Sequence, residues 1–374
     1  MDKLLFTPGP LSTSESVKKS MLIDLGSRDK EFKEKITYIR NNLTKLACHK
    51  SNKHDLYTTI LIPGSGTYTN EAVINSSIPK NNISNKLLII SNGKYGDRLQ
   101  TIANKLSINI VTLKYADTEN IKIKDVKEII ENDKNIKYIT MVHHETSSGQ
   151  INNLQEIGLL CKTHNICFIV DAMSSFGGIE LDIYDFNIDF LISSSNKCIE
   201  GTPGFAFTIC KIDSLIKSTH SNSTSLDILE QWKNFENNNE FRFTPPTHAI
   251  IAFSQALKEL LENETLNNRI NRYFENYITL KTGMESIGFK CFLPNDLQGY
   301  FITSFLYYNN DNFDFEKFYD LMNTKGFVLY SGCLTNIKTF RIGNIGQLYK
   351  KDILNLLANV TITLKEMNIT LTIH

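Results

Sequence analysis

The alternation of short apolar runs with helical patterns in the middle of the chain is the feature that most limits its fold. Runs rich in Ile, Val, Leu and Phe occur at 86–91, 108–115, 136–142, 166–172, 189–194 and 204–210. Helical patterns at 96–107, 123–133 and 153–165 separate the first four of these runs. Strands of this composition that alternate with helices predict a mostly parallel sheet with helices on both faces. The predicted fold class is therefore α/β.

The length of 374 residues exceeds what one hydrophobic core usually supports, so two domains are expected. Long helical patterns at 247–263 and 266–288 follow the last apolar run, and the second of them is expected to lead into a smaller α+β domain. The predicted organisation is an extended N-terminal segment, a large domain, and a small C-terminal domain with a linking helix. Their predicted bounds are 1–20, 21–265 and 266–374.

Charge and cysteine content exclude several classes of function. Basic and acidic residues number 40 each, and no basic stripe is present, so we do not expect a nucleic-acid partner. No apolar run approaches the length of a membrane span, and the start, MDKLLFTPGP, does not resemble a signal peptide. The seven cysteines are scattered without a C-x-x-C pair, so neither a metal site nor a disulfide framework is expected. The cytoplasm is the simplest location for such a chain.

Residues that can carry chemistry follow several of the predicted strands. In sheets of this kind, ligands bind beyond the carboxyl ends of the strands. Asp171 directly follows CFIV, where a buried carboxylate needs a cationic partner. Lys197 follows the run at 189–194, in SSSNKCIEGTPGF, while Tyr95 and Thr146 follow the runs at 86–91 and 136–142.

The segment PGSGT at 63–67 adds a candidate anion site, because it precedes a helical pattern and a helix N-terminus presents N–H groups to anions. An anion site, an aromatic ring, hydroxyl groups, a carboxylate and a lysine are thus expected at one edge of the sheet. Each feature alone is common as ordinary structure. Pyridoxal phosphate uses all of them together, with the lysine for its aldehyde, the carboxylate for its pyridinium nitrogen and the anion site for its phosphate.

Over nearly its whole length, the chain resembles the class V aminotransferases of pyridoxal-phosphate fold type I. The segments that carry the resemblance are LLFTPGP, GSGTY, NGKYGDR, HHETSSGQIN, VDAMSSFGGIELDI, SSSNKCIEGTPGFAF, FRFTPPTH and FRIGNIG. DAMSSFGG, NKCIEGTPGF and FTPPTH are typical of the subgroup that moves the amino group of 2-aminoethylphosphonate to pyruvate in a ping-pong cycle. Two segments depart from that pattern. His144 stands in HHET where His-Cys is expected, and YSGCLTN at 330–336 is looser.

The resemblance implies a role for each matching residue. Lys197 would bond covalently to pyridoxal phosphate and act as the base that transfers the proton, and Asp171 would keep the pyridine nitrogen protonated. Tyr95 would stack on the ring, and Thr146 would bond the ring oxygen. The phosphate would be held by Ser65, Gly66, Thr67 and Asn196.

Three further residues concern the substrates and the assembly. Thr244, in FTPPTH, would reach the phosphate bound by a neighbouring subunit, so the resemblance implies a homodimer with shared active sites. Arg341, in FRIGNIG, would hold the phosphonate of 2-aminoethylphosphonate and the carboxylate of pyruvate. Arg28, in LGSRDKEF, is a second candidate anion contact, with an exposed position at a helix start as the alternative. Thr247 is interpreted as the N-cap of the helix that follows it.

Other functions are compatible with the same fold. An alanine–glyoxylate or serine–pyruvate aminotransferase would share the cofactor residues and differ in the pocket. A cysteine desulfurase would use Cys333 as the sulfur carrier, but such enzymes usually have histidines where Asn196 and Tyr95 stand. A non-catalytic regulator that binds the cofactor would carry an added DNA-binding domain, for which no room is expected before TPGP.

Overall fold

The structure is a computed structural model of the chain, and it describes residues 3–332, 334 and 337–370. The strands are β1 (Leu4–Leu5), β2 (Tyr57–Pro63), β3 (Lys86–Ser91), β4 (Ile110–Lys114), β5 (Ile136–Val142), β6 (His144–Glu145), β7 (Gln150–Ile151), β8 (Cys167–Asp171), β9 (Phe190–Ser194), β10 (Phe205–Lys211), β11 (Ile302–Leu306), β12 (Phe327–Val328), β13 (Tyr330–Ser331) and β14 (Thr339–Gly343). The helices are α1 (Glu15–Ser20), α2 (Lys30–Ala47), α3 (Gly66–Ser77), α4 (Lys94–Lys105), α5 (Ile123–Asn132), α6 (Gln155–His164), α7 (Ile212–Ile216), α8 (Ile228–Asn238), α9 (Thr247–Lys258), α10 (Leu266–Ile287), α11 (Phe315–Thr324) and α12 (Lys350–Glu366). A 3₁₀ turn spans His54–Leu56, and a π-helical turn spans Glu259–Glu264.

Within the described part of the chain, seven strands form the central sheet in the order β2-β10-β9-β8-β5-β3-β4. β10 runs antiparallel to both of its neighbours, and the remaining pairs are parallel. Its direction follows from its connection, because residues 195–204 join it to β9 without a helix, and a parallel crossover needs a dozen or more residues. The six strands predicted from the sequence are all present within two residues of their predicted bounds, and the mostly parallel sheet is confirmed.

A second apolar core lies apart from the central sheet. Helices α10, α11 and α12 pack with the sheet β11-β14-β13 around buried side chains that include Phe289, Phe305 and Phe340. Strand β1 pairs in parallel with β12, and Phe6 is buried in this second core. The division at residue 265 into a large and a small domain stays a prediction, which the two separate cores support.

The sequence predicted an extended segment at 1–20, but the structure has a helix, α1, at its end. Helix α1 forms because the hydroxyl of Ser14 accepts a hydrogen bond of 3.1 Å from the N–H of Val17. Val17 is then buried against Ala252 and Ala256 of α9, so the apolar contact stabilises the helix. Across residues 3–332, 334 and 337–370, no helix has the combination of length and apolarity that crossing a membrane requires.

Candidate active site

A cavity of about 200 Å³ opens beyond the carboxyl ends of β5, β8 and β9. The predicted residues that line it are Ser65, Gly66, Thr67, Tyr95, Thr146, Asp171, Asn196 and Lys197. Cavities of about 460, 490 and 540 Å³ lie elsewhere, but none of the predicted site residues lines them. The site is therefore identified by its chemistry and not by its volume.

Lys197 lies in the connection between β9 and β10, and its Nζ atom donates a hydrogen bond of 2.6 Å to the carbonyl oxygen of Pro8. Burial lowers the pKa of Lys197 to about 8, with the charge of Arg341 acting in the same direction and that of Asp171 opposing it. A lysine with this pKa has a substantial neutral fraction near physiological pH and can act as a nucleophile or base. Gly9 has a φ of +127°, and a Cβ atom there would lie 2.8 Å from Nζ, so only glycine fits beside the amine.

Asp171 ends β8 and is buried. Its Oδ2 atom accepts a hydrogen bond of 2.6 Å from Asn70 Nδ2, and its Oδ1 atom accepts one of 3.0 Å from the N–H of Met173. Burial raises the pKa of Asp171, while these hydrogen bonds and the charges of Lys197 and Arg98 oppose the rise. Asp171 makes no ion pair with any described residue, so a cationic ligand atom would supply the partner that a buried carboxylate needs.

The N-terminus of α3 forms one wall of the cavity. Ser65 precedes the helix, and its side chain makes no capping hydrogen bond in the described structure, which leaves the first N–H groups available to an anion. A Cβ atom on Gly66 would lie 2.1 Å from Cε of Met173, so any larger residue there would displace the methionine side chain from this wall. The chemistry of the wall suits a phosphate.

Arg98 is a cavity residue that the sequence analysis missed. Its guanidinium carbon lies 4.8 Å from the ring centroid of Tyr95, and its Nη1 atom donates a hydrogen bond of 3.3 Å to the hydroxyl of Thr67. Arg98 and Tyr95 are three positions apart on α4 and so share one face of the helix. This spacing was the signal that could have found Arg98.

Glu145 anchors the helix that carries Tyr95. Its Oε2 atom accepts hydrogen bonds of 3.1 and 3.2 Å from the N–H groups of Tyr95 and Gly96, and its Oε1 atom accepts one of 2.5 Å from the hydroxyl of Ser147. Burial raises the pKa of Glu145, and these hydrogen bonds oppose the rise. Tyr95 therefore belongs to the first turn of α4, and Glu145 fixes its position beside the cavity.

The two neighbouring histidines differ in their surroundings. Nδ1 of His143 lies 2.9 Å from the hydroxyl of Ser175, so this ring makes a local hydrogen bond. His144 lines the cavity and packs edge-on against Phe301, with ring centroids 5.0 Å apart. Neither of its ring nitrogens makes a hydrogen bond of ordinary geometry to a described residue. The backbone of Gly149 lies near the ring and acts to raise the pKa of His144. Burial lowers the pKa of both histidines to about 3, so both are neutral at physiological pH.

Arg341, on β14, joins the second core to the cavity wall. The side chain is 3% exposed, and its Nη1 atom donates a hydrogen bond of 2.8 Å to the carbonyl of Thr146, a residue that lines the cavity. Nε donates one of 3.0 Å to the carbonyl of Ser331, and the ring of Tyr330 lies 4.9 Å from the guanidinium carbon. Arg341 has no carboxylate partner among residues 3–332, 334 and 337–370, so it is a buried cation to which the described chain supplies no counter-charge.

Four remaining residues lie outside this cavity or outside the described chain. Thr244 is exposed ahead of α9, and Arg28 has an 86% exposed side chain whose Nε lies 3.8 Å from Glu240. Their predicted roles stay predictions. Thr247 is the first residue of α9 and follows the capping position at Pro246, so its interpretation as the N-cap is wrong by one residue. Cys333, the sulfur carrier of the desulfurase alternative, lies outside the described residues.

One cavity is thus lined by a lysine, a buried carboxylate and an uncapped helix N-terminus. Comparison with known proteins gives a family whose chemistry uses these groups. Residues 15–332 match the family model of aminotransferase class-V. The chain belongs to the class-V aminotransferases. It is therefore an enzyme that transfers amino groups, and the family resemblance predicted from the sequence is confirmed.

Three curated relatives are similar to this class-V aminotransferase over most of its length. The chain is 46% identical over 353 residues to the bifunctional phosphonoacetaldehyde hydrolase/aminoethylphosphonate transaminase of Clostridioides difficile, a match that covers 94% of the chain and 55% of that protein. It is 43% identical over 352 residues to the 2-aminoethylphosphonate–pyruvate transaminase of Bacteroides fragilis, covering 93% and 95%. With a protein of the same name from Bacillus cereus it shares 44% identity over 359 residues, covering 96% of each. The chain thus spans about half the length of the first relative and nearly all of the other two.

Solved structures with the same fold include the ureidoglycine-glyoxylate aminotransferase from Bacillus subtilis, with a TM-score of 0.87 and 25% identity. The match covers 99% of this chain and 95% of that one. Pyridoxamine-pyruvate aminotransferase from Mesorhizobium loti gives a TM-score of 0.88 at 22% identity and covers 100% and 95%. The class-V aminotransferase described here accordingly has the fold type I of pyridoxal-phosphate enzymes, as predicted.

Proposed function

We propose that this enzyme uses pyridoxal phosphate to transfer the amino group of 2-aminoethylphosphonate to pyruvate, giving phosphonoacetaldehyde and alanine. The observation that carries the proposal is Arg341, a buried guanidinium for which the described chain supplies no carboxylate. A buried charge is unfavourable unless it is paired, so the anion of a bound substrate completes this site. The names of relatives at 43–46% identity support the same substrates.

The two substrates suit a single arginine because each carries one anionic group. The phosphonate is the only anion of 2-aminoethylphosphonate, and the carboxylate is the only anion of pyruvate. A guanidinium presents a planar fork of N–H donors that can pair with two oxygens of either group. Arg341 can therefore serve both halves of a ping-pong cycle, in which the donor leaves before the acceptor binds.

The residues of the cavity fit pyridoxal phosphate. The hydroxyl of Ser194 and the Oδ1 atom of Asn70 line the cavity buried and without a hydrogen-bond partner among the described residues, which indicates that a polar ligand completes them. The N–H groups at the start of α3 would hold the phosphate, together with Thr67. Asp171 would pair with the pyridinium nitrogen, and Lys197 would bond to the aldehyde carbon.

The bound cofactor supplies a reactive aldehyde and a protonated ring that withdraws electrons from the amino-bearing carbon of the substrate. The protein holds and moves the proton. Nζ of Lys197, with its lowered pKa, takes a proton from the amino-bearing carbon of the donor and returns one to the acceptor. The hydrogen bonds from Asn70 and Met173 favour the ionised form of Asp171, so it can stabilise positive charge across the cavity.

We also propose that the active unit is a homodimer with shared sites in the cytoplasm. Thr244 is exposed and lies outside its own subunit's cavity, which supports a contact with the partner subunit's cofactor phosphate. The six described cysteines are free, as is usual in a reducing compartment.

A panel of amino donors tests the proposed function. The purified enzyme with pyruvate and 2-aminoethylphosphonate, serine or taurine is assayed for alanine, and the alanine–glyoxylate pair is assayed for glycine. We expect 2-aminoethylphosphonate to give the highest kcat/KM, and Lys197→Ala to abolish turnover with every donor. Turnover with alanine and glyoxylate, but none with 2-aminoethylphosphonate, would assign the enzyme to the alanine–glyoxylate type instead.

A further inference from the structure

The turn that carries Lys197 is closed by Glu200. The N–H of Glu200 donates a hydrogen bond of 2.7 Å to the carbonyl of Lys197. Glu200 has a φ of +66°, in the left-handed region that glutamate rarely adopts. A residue is held in this conformation only when its surroundings determine it, and such residues concentrate at functional sites.

A group of charged and polar side chains, of which Glu200, Arg269 and Tyr273 are buried, surrounds Glu200. We call it the Glu200 cluster; it consists of Glu200, Glu264, Arg269, Arg272 and Tyr273. Glu200 is 2% exposed, and its carboxylate accepts hydrogen bonds from Arg272 Nη2 at 2.7 Å and from the hydroxyl of Tyr273. Glu264 accepts from Nε of Arg269 at 2.6 Å and from Nε of Arg272 at 2.7 Å, so the two arginines share two carboxylates.

The Glu200 cluster also makes hydrogen bonds to Cys198, the residue next to Lys197. The carbonyl of Cys198 accepts a hydrogen bond of 2.7 Å from Arg269 Nη1 and one of 3.1 Å from the hydroxyl of Tyr273. Arg269 and Tyr273 both lie on α10. The lysine turn is therefore fastened to α10 through both its main chain and the side chain of Glu200.

The other side of the cluster reaches the chain that follows Arg341. Arg272 Nη1 donates hydrogen bonds of 2.6 and 3.1 Å to the carbonyls of Gly346 and Leu348, shortly after the end of β14. Asn276, one turn further along α10, donates from Nδ2 to the carbonyls of Asn344 and Leu348 at 3.2 and 2.8 Å. Helix α10 thus contacts the turn of Lys197 on one side and the segment that directly follows the strand of Arg341 on the other.

We propose that Glu200 is a positioning residue that fixes the separation between Lys197 and Arg341, and that this separation selects amino donors with two carbon atoms between the amino and phosphonate groups. The inference rests on the proposed function, in which Arg341 holds the phosphonate while Lys197 moves the proton at the opposite end of the donor. Replacing a buried ion pair by apolar residues is often neutral for stability, so stability alone does not account for the cluster. A displacement of about 1 Å between reacting groups can reduce a rate by about 10²-fold.

Glu200→Gln tests the proposal, because it removes the charge and nearly preserves the size of the side chain. The values of kcat/KM are measured for aminomethylphosphonate, 2-aminoethylphosphonate and 3-aminopropylphosphonate with pyruvate. We expect the preference for the two-carbon donor over the other two to fall by about 10-fold or more. The control is Glu236→Gln, which removes the half-exposed partner of another buried arginine, Arg40, away from the cavity. It should leave the preference unchanged.

A second readout does not depend on turnover. The rate at which the apoenzyme captures pyridoxal phosphate, followed by absorbance, reports how well the lysine turn is held. It should slow about 10-fold in Glu200→Gln and stay unchanged in Glu236→Gln. Should Glu200→Gln fail to fold, Tyr273→Phe decides, because it deletes only the hydroxyl that bonds both Cys198 and Glu200 and should shift both readouts in the same direction by a smaller factor.

Two results would overturn the inference. If the variant that folds lowers kcat/KM for all three donors by one common factor, the cluster does not set donor length. If donor preference and capture rate match those of the parent while only the melting temperature falls, the role of the cluster is structural. A parent enzyme that ignores 2-aminoethylphosphonate would contradict the proposed function, and the capture rate would then still show whether Glu200 positions Lys197.

Discussion

The amine of Lys197 donates a hydrogen bond of 2.6 Å to the main-chain carbonyl of Pro8 and makes none to a carboxylate in the described chain. A carbonyl does not offset the desolvation of an ammonium group as a carboxylate would, in agreement with the lowering of the lysine pKa from 10.5 to about 8. A fraction of the amine is thus neutral near physiological pH before any ligand binds.

The pH dependence of cofactor capture follows from this pKa. The rate of reaction between the apoenzyme and pyridoxal phosphate should rise with pH through a midpoint near 8, because only the neutral amine attacks the aldehyde. Arg341→Met removes a positive charge that lowers the pKa of Lys197, so its midpoint should be higher. Asp171→Asn removes a negative charge that raises the pKa, so its midpoint should be lower. Stopped-flow absorbance measures all three, and a parent midpoint near 10.5 would contradict the burial of the amine.

Substitutions of Arg341 should weaken both half-reactions together. Arg341→Ala removes the anion partner from a buried position and should cost on the order of 2–5 kcal/mol of transition-state binding. Arg341→Lys keeps the charge without the fork, so its rates should lie between those of the parent and of Arg341→Ala. Single-turnover rates with 2-aminoethylphosphonate and with alanine measure the two halves separately. If Arg341→Ala affects only the alanine half, another residue binds the phosphonate, and Arg28 is the first candidate.

Mixed dimers test whether Thr244 serves the partner subunit. Chains carrying Lys197→Ala and chains carrying Thr244→Ala are unfolded together, refolded and supplied with cofactor. A mixed dimer with shared sites has one site with both changes and one site with neither, so activity should partly recover relative to either variant alone. Mass spectrometry verifies that mixed dimers form. An absence of recovery in verified mixed dimers would place Thr244 in its own subunit's site or outside any site.

The buried histidines should make the protein sensitive to acid. His144 has a pKa of about 3 in the folded state against an ordinary value of 6.5, so the unfolded chain binds the extra proton. Its contribution to stability is fully present above pH 6.5 and is lost as the pH falls towards 3, by about 1.4 kcal/mol per pH unit. His144→Asn should therefore lose about 2 kcal/mol less than the parent between roughly pH 6.5 and pH 5.

Urea unfolding of the apoprotein at several pH values measures this difference. Buried carboxyl groups with raised pKa values, such as Glu145 and Asp171, act in the opposite direction, so only the difference between variant and parent is informative. The control is His248→Asn at an exposed position. Parallel pH profiles for His144→Asn and the parent would show that His144 is not buried as a neutral ring.

Most of the central strands could be predicted because they are continuous apolar runs that are largely buried, whereas the edge strand β4 is only half-buried. β3 and β5 have the bounds predicted from their sequences. β2 was not predicted. Its partner β10 lies more than 140 residues away, and no pattern in the neighbouring sequence indicates this pairing. The reversed direction of β10 follows from the short connection through Lys197, which the sequence contains but which the prediction did not use.

The site could be predicted where a residue directly follows a strand, as Asp171 does, or lies in the connection after one, as Lys197 does. Asn70 and Arg98 were missed because they lie on helices and not at strand ends. Each lies three positions after a recognised residue, Thr67 or Tyr95, and shares a helix face with it. Glu200 could not be found from its neighbours in sequence. Its partners on α10 are about 70 residues away, and only the folded chain brings them to the lysine turn.

The pairing of β1 with β12 has a consequence for synthesis on the ribosome. The carbonyl of Pro8, which accepts the hydrogen bond from Lys197, lies two residues after Phe6. The N–H and carbonyl of Phe6 are hydrogen-bonded to Val328 and Gly343, more than 300 residues later in the chain. A nascent chain that has emerged as far as residue 300 already contains the seven strands of the central sheet and the lysine. It lacks the strands that hold Pro8 in place, so the amine acquires its final surroundings among the last steps of synthesis. Until then, Lys197 lacks the main-chain carbonyl to which its amine is hydrogen-bonded in the finished enzyme.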